Sequence, residues 1–251
     1  MQSTQLIYGI HAVQTAIRTQ PENVLEIWCD QKRHDKRMQE VLTQATELGL
    51  TVHMVGRREL DHMTNGERHQ GMAAKCKTLR TKSGTEETLD EILNGLQESP
   101  FLLVLDGVTD PHNLGACLRS ADAAGVHAVI APRDRAVSLT PVVIKVASGA
   151  AQSIPFVQVT NLARTLRDLQ ERGIWLVGAD GEAEQTIYDL DLTGPLALVM
   201  GAEGAGLRRL TKECCDYLAR LPMAGVVESL NVSVATGVCL YEAVRQRRAQ
   251  L

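Results

Sequence analysis

Hydrophobic positions along the chain follow two patterns. From about residue 89 onward, short and almost wholly apolar runs alternate with stretches of helical period. The runs are FLLVLDG (101–107), HAVIA (127–131), IPFVQV (154–159), IWLVGAD (174–180), LALVMG (196–201) and YLARLP (217–222). Helical spacing falls at 88–96, 114–125, 140–151, 161–173, 206–215 and 231–248. Apolar strands between helices predict an α/β fold whose sheet is mostly parallel and covered on both faces. Before residue 79 the elements are smaller. Helices are predicted at 10–18, 35–49 and 57–63, with strands at 24–29, 51–55 and 69–76. The polar, aperiodic stretch LRTKSGTEET (79–88) separates the regions and reads as a linker. The predicted organisation is therefore a small α/β domain over 1–78, a linker over 79–88, and a larger domain over 89–251.

Composition narrows this picture only slightly. The 251 residues allow a sizeable core, and a formal charge of −4 is neutral on nucleic acid, since a basic patch can sit on an acidic protein. Eleven of the 26 Lys and Arg, and five of the seven His, fall in the first eighty residues, so that region is slightly positive. No apolar window is long enough to cross a bilayer, and the N-terminus lacks the pattern of a secretory signal. The expectation is a cytoplasmic protein with no membrane contact. Cys29, Cys76, Cys117, Cys214, Cys215 and Cys239 show no metal-ligand spacing with histidine, so they read as reduced structural thiols and no metal site is expected.

Three loops after predicted strands carry the candidate chemistry. In DGVTDPHNLGACLRSADAAGV (106–126), Asn113 is expected to cap a helix, with Pro111 extended just before it. Arg119 then lies almost two turns in, on a crowded face near the sheet. It is either a snorkelling or salt-bridged arginine, or a fixed fork for phosphate or carboxylate. In LALVMGAEGAGL (196–207), Gly201, Gly204 and Gly206 do not have dinucleotide-fingerprint spacing, and no P-loop lysine follows. Such a loop can be no more than a tight turn, but Glu203 within it disfavours phosphate and suits a ligand with a positive centre. In LPMAGVVESLNVSVATG (221–237), Ser229 or Asn231 can cap the last helix. The small residues that follow suit either a closely packed partner helix or a chain passing through a confined space.

Taken in order, NLGACLRSADAAGV, VMGAEGAGL and PMAGVVESLNVSVATG resemble the three motifs of the SpoU/TrmH family of RNA ribose 2′-O-methyltransferases, of the SPOUT class. The resemblance covers about residues 100–248, and three motifs in the right order make it specific. IYGIHAV and HQGMAAK near the N-terminus also resemble that family's ribosomal-protein-like substrate-binding domain. The resemblance implies a deep trefoil knot in the C-terminal domain, S-adenosylmethionine (SAM) as cofactor, and a homodimer built through the knotted domains. Gly201, Leu221 and Leu230 would contact SAM, largely through backbone atoms. Arg119, Asn113, Glu203, Ser229 and Asn231 would be the catalytic set. Ala202 replaces an asparagine common in relatives, and His11 replaces another in the N-terminal motif. The implied reaction is methyl transfer to a guanosine ribose of 23S rRNA. Alternatives are a tRNA ribose methyltransferase of the same family and a non-catalytic RNA-binding assembly factor; a DNA partner is not expected.

Overall fold

The computed structural model describes residues 4–33, 35–77 and 83–249, and the chain divides into two compact units, Met1–Arg80 and Thr81–Leu251. The first unit runs β1 (Thr4–Tyr8), α1 (Ile10–Thr19), β2 (Val24–Asp30), α2 (Lys36–Glu47), β3 (Thr51–Val55), α3 (Arg57–Met63) and β4 (Met72–Lys77). Its sheet has the order β1-β4-β2-β3; β2 and β3 are parallel, and β4 is antiparallel to both β1 and β2. Ile10, Val13 and Ile17 of α1 recur at helical spacing and pack with Met38, Val41 and Ala45 of α2 over Ile27, Cys29, Ala74 and Cys76. Asp35 caps α2 by accepting from Met38 N at 3.2 Å. The strand expected over 69–76 begins later, at Met72, because Gln70 and Gly71 both take left-handed backbone angles in the preceding turn. Strand β1 has no counterpart among the expected elements.

The second unit runs β5 (Ser83–Gly84), α4 (Glu86–Gly95), β6 (Phe101–Asp106), α5 (Pro111–Ala124), β7 (Ala128–Pro132), α6 (Pro141–Ala147), α7 (Ala150–Ser153), β8 (Phe156–Val159), α8 (Leu162–Glu171), β9 (Trp175–Ala179), β10 (Leu196–Gly201), α9 (Arg209–Cys214), β11 (Tyr217–Ala219) and α10 (Val232–Arg248). Its sheet has the order β11-β9-β10-β6-β7-β8-β5, and every pairing is parallel. All six residues of β6 and all five of β7 are buried, which is why these strands read as unbroken apolar runs. One face packs against α5, α6, α7 and α10, and the other against α4, α8 and α9.

Three readings need correction. The linker assigned to 79–88 does not extend over residues 83–88. Residues 79–82 lie outside the described part, but Ser83 and Gly84 pair with Phe156 and Val157 as an edge strand. Thr85 and Thr88 then form the capping box of α4. Polar composition hides a two-residue strand because edge strands need little apolar surface. The helix expected over 140–151 is two helices, broken where Ser148 (φ 51°) and Gly149 (φ 102°) turn left-handed. Helix α5 begins at Pro111, and its cap is Asp110, which accepts from Asn113 N at 2.8 Å. Asn113 is therefore inside the helix. Pro111 occupies its first position, where a missing N–H costs nothing. No helix among the described residues is long and apolar enough to cross a membrane.

Candidate active site

Strands β6 and β10 lie side by side with Gly201 opposite Asp106, so the loops after both leave the sheet at one place. The chain departs from β6 toward β7 on one side and from β10 toward β11 on the other. Parallel sheets bind ligands at such a divergence. Asp106 ends an otherwise apolar strand, is fully buried, and accepts from Arg208 N at 2.9 Å while pairing with the Arg208 guanidinium. The buried charge is thereby answered, and the far end of the β10 loop is tied to β6. Sequence reasoning missed this pair, although a carboxylate closing the run FLLVL was the signal for it.

Within that loop Ala202 and Gly206 exchange both backbone hydrogen bonds, at 3.0 and 2.9 Å, leaving Glu203, Gly204 and Ala205 at the tip. Gly204 and Gly206 have φ of 76° and 65°. A Cβ on Gly201 would sit 2.2 Å from Gly206 C and 2.4 Å from Leu207 N. The glycines therefore build a loop folded tightly onto its own main chain, with Glu203 exposed.

Glu203 meets the first motif through Asn113, whose Nδ2 donates to Glu203 Oε2 at 3.2 Å. The Asn113 Oδ1 accepts from Asn231 Nδ2 at 3.0 Å. Asn231 Oδ1 in turn accepts from Ser233 N at 2.9 Å and Ser233 Oγ at 2.6 Å, so Asn231 caps α10. The two ends fix the direction of the chain. A carboxylate only accepts and a backbone N–H only donates, so both amides have one consistent orientation. Residues 90 and 118 positions from Asn113 in sequence are joined in one line of hydrogen bonds.

Below this line α5 and α10 pack closely. Cys117 Sγ approaches Thr236 Oγ1 at 3.6 Å, and a Cβ on Gly237 would lie 3.8 Å from Ser120 Oγ. Small residues in α10 serve this seam. Burial pushes the Cys117 thiol up to about 11 and Cys239 to about 12, as it does for Cys29 (about 11), Cys76 and Cys215 (about 12). These thiols stay protonated at neutral pH and are poor nucleophiles.

The remaining expected site residues lie apart from the line. Arg119 is exposed, not crowded, and makes no hydrogen bond or ion pair among the described residues. Six residues beyond Asn113, it stands about 9 Å along α5 and about 120° around it. Ser229 is exposed and makes no side-chain hydrogen bond among the described residues. Leu221 is half-buried against the core, whereas Leu230, Val226 and Val227 expose apolar side chains in the same loop.

These loops fit SAM by their chemistry. The loop 221–230 offers exposed apolar side chains for a purine, Glu203 gives a carboxylate and no phosphate-binding cation, and Gly201 lets the β10 loop fold close on its own main chain beside them.

Comparisons with known proteins agree with this geometry. Residues 100–241 match the SpoU rRNA Methylase family, and residues 6–82 match the family described as RNA 2′-O ribose methyltransferase substrate binding. The chain is 54% identical over 249 residues to the 23S rRNA (guanosine-2′-O-)-methyltransferase RlmB of Shewanella oneidensis, covering 99% of this chain and 100% of that one. It is 56% identical over 250 residues to the protein of that name from Pseudomonas putida, with both chains fully covered. Among solved structures, an RNA 2′-O ribose methyltransferase superposes with a TM-score of 0.77 at 29% identity, covering 98% of this chain and 90% of that one. The SpoU methyltransferase AviRb of Streptomyces viridochromogenes, in complex with AdoMet, gives 0.73 at 27% identity, covering 98% and 91%.

Proposed function

This chain belongs to the SpoU rRNA methylase family, and from that premise we propose that it transfers methyl from SAM to the ribose 2′-hydroxyl of a guanosine in 23S rRNA. The observation that carries the reading is the line from Glu203 through Asn113 to Asn231, which joins three loops of the matched region. End-to-end similarity to the Shewanella and Pseudomonas enzymes supports the substrate.

Gly201, Leu221 and Leu230 would hold SAM, which supplies a methyl group on a positively charged sulfur. Because the electrophile comes activated, the protein must orient the hydroxyl and favour loss of its proton. The planar fork of donors on Arg119 suits a phosphate clamp and a stabiliser of the developing oxyanion. Asn113, Asn231 and Glu203 hold the three loops in register, and Ser229 offers a neutral hydrogen bond to the nucleotide.

The segment from Leu221 to Asn231 leaves edge strand β11 and reaches α5, crossing the ends of β9 and β10. The loop after β9 contacts Arg220, just before this path, and Gln246, near the far end of α10. Arg220 donates to Ala183 O and Glu184 O, and Gln246 donates to Leu190 O at 3.0 Å. That wrapping supports the trefoil knot. A homodimer through this unit is supported by exposed Val234 and Tyr241, seven residues apart on one face of α10. It is also supported by Arg119, which is exposed, makes no hydrogen bond or ion pair among the described residues, and suits a site completed by a second copy. The first unit holds the RNA, and an rRNA substrate puts the work in the cytoplasm.

The test uses the full chain, radiolabelled SAM, and unmodified 23S rRNA and tRNA transcripts, with ribose methylation mapped afterward. Label is expected at a guanosine ribose of 23S rRNA, and transfer only to tRNA would refute the substrate. Arg119→Ala should abolish transfer while calorimetry shows SAM still bound. Joint loss of both would remove the role given to Arg119.

A further inference from the structure

The two N-terminal motifs meet in space, where Gly9 N donates to Met72 O at 2.9 Å. Between them and the starts of α2 and α3 opens a cleft of about 470 Å³. Its cations are all arginine: Arg33 just before α2, Arg37 in its first turn, Arg57 opening α3, and Arg68 in the loop before β4. Their origin in separate stretches of chain argues against a chance run of charge.

The floor of the cleft is rigid. His69 is 4% exposed; its Nδ1 accepts from Gly71 N at 3.0 Å, so the proton sits on Nε2 and is donated to Asp61 at 2.9 Å. With both nitrogens engaged, His69 shapes the cleft and has no free nitrogen for acid–base chemistry. Arg33 lies over Gly71, where a Cβ would meet its Cδ at 3.0 Å, and it donates to Gln70 O. Arg37 Nη1 approaches His11 Nε2 at 3.0 Å. Asp30 and Glu67 also line the cleft. Arg57 and Arg68 are exposed and have no hydrogen-bond or ion-pair partner among the described residues.

The geometry points to this cleft as a nucleotide subsite for the RNA, separate from the methylated nucleotide; this rests on the function proposed above. The volume suits one nucleotide-sized group. Arginine forks take phosphate oxygens two at a time, and their planes stack on unpaired bases, which lysine does poorly. Arg57 and Arg68 take the phosphate, and Arg37 with His11 faces the base.

The experiment measures filter binding of an unmodified 23S rRNA transcript to the full chain across a salt series, with methyl-transfer kinetics alongside. In Arg57→Ala/Arg68→Ala, affinity should fall about tenfold or more and the slope of log K on log salt should shrink by about one. KM for RNA should rise while kcat holds. Arg57→Lys/Arg68→Lys should keep the salt slope yet lose affinity. Arg18→Ala/Arg58→Ala, an equal charge change outside the cleft, should match wild type. Wild-type affinity and slope in the alanine pair would overturn the proposal, as would equal weakening by the control pair. Full affinity in the lysine pair would overturn the fork. If wild type binds the transcript but transfers no methyl group, the methyltransferase reading fails, and the binding comparison still decides the cleft.

Discussion

Replacing Asn113 with Asp changes one atom of the line that joins the three loops, and its cost follows from one distance. Asn113 Nδ2 donates to Glu203 Oε2 at 3.2 Å, and the substitution sets two carboxylate oxygens face to face there. Even with water-like screening the repulsion is about 1.3 kcal/mol. The lost hydrogen bond to a charged acceptor adds about 1.5–3 kcal/mol. A total near 3 kcal/mol corresponds to about a hundredfold loss in kcat/KM, if the aligned loops are the active form. Helix α5 itself should not suffer. Position 113 is in its first turn, where a negative charge is favoured by the helix dipole, so circular dichroism should show the helix content retained. Glu203→Gln alone keeps an acceptor toward Asn113 and should cost about tenfold or less. In the double variant the new amide at position 203 would donate to the new carboxylate, which still accepts from Asn231 Nδ2. Activity should recover at least tenfold over Asn113→Asp, a coupling of about 2 kcal/mol. Steady-state transfer from SAM to 23S rRNA measures all four proteins. A double variant no better than Asn113→Asp would show that the line does not hold the active geometry.

Gly201→Ala should act on SAM binding. Its methyl would meet main chain of Gly206 at 2.2 Å, so the loop must give up its two Ala202–Gly206 bonds, at about 3–5 kcal/mol including crowding. Calorimetry should show SAM affinity down tenfold or more, and unchanged affinity would refute the loop's role. A third prediction concerns pH. Glu86 accepts from Thr160 N at 2.6 Å and Thr160 Oγ1 at 2.8 Å, and these bonds hold its carboxyl below the ordinary 4.5. A depressed folded value means stability that is present above about pH 4.5 and lost as pH falls through the folded value. Thermal melts of Glu86→Gln should therefore show a flatter decline below pH 4.5 than wild type; identical slopes would show that Thr160 does not perturb this group.

The parallel sheet is readable because strands buried on both faces leave no polar gaps, as β6 and β7 demonstrate. Short elements with little apolar surface are not, which is why β1 escapes the pattern and β5 reads as linker. The break at Ser148 is hidden for another reason: a serine in the left-handed region leaves no compositional mark, and Gly149 alone is compatible with a helix.

The site is readable only in part, and the error at Asn113 shows why. Asp110 and Asn113 are both good capping residues, so side-chain type could not choose between them. Pro111 could have done so, since proline favours the first helical position, one residue after a cap at Asp110. The choice bears on function. A capping Asn113 would have spent its side chain on its own helix. With Asp110 in that role, Asn113 is free to join Glu203 and Asn231 across 90 and 118 residues. No local pattern reports contacts at that range, and only the ordered motifs hinted that the loops meet. The same helical count separates Arg119 from the line by about a third of a turn and about 9 Å along the axis. The hydrogen-bonded line lies within one chain, whereas Arg119 stands apart from it, as the proposed shared site requires. Asn113→Asp tests the line within a protomer, and Arg119→Ala, mixed with Asn113→Asp, tests the shared site. If sites are shared between copies, mixed dimers should regain activity that neither variant has alone; if each copy is complete, mixing should restore nothing.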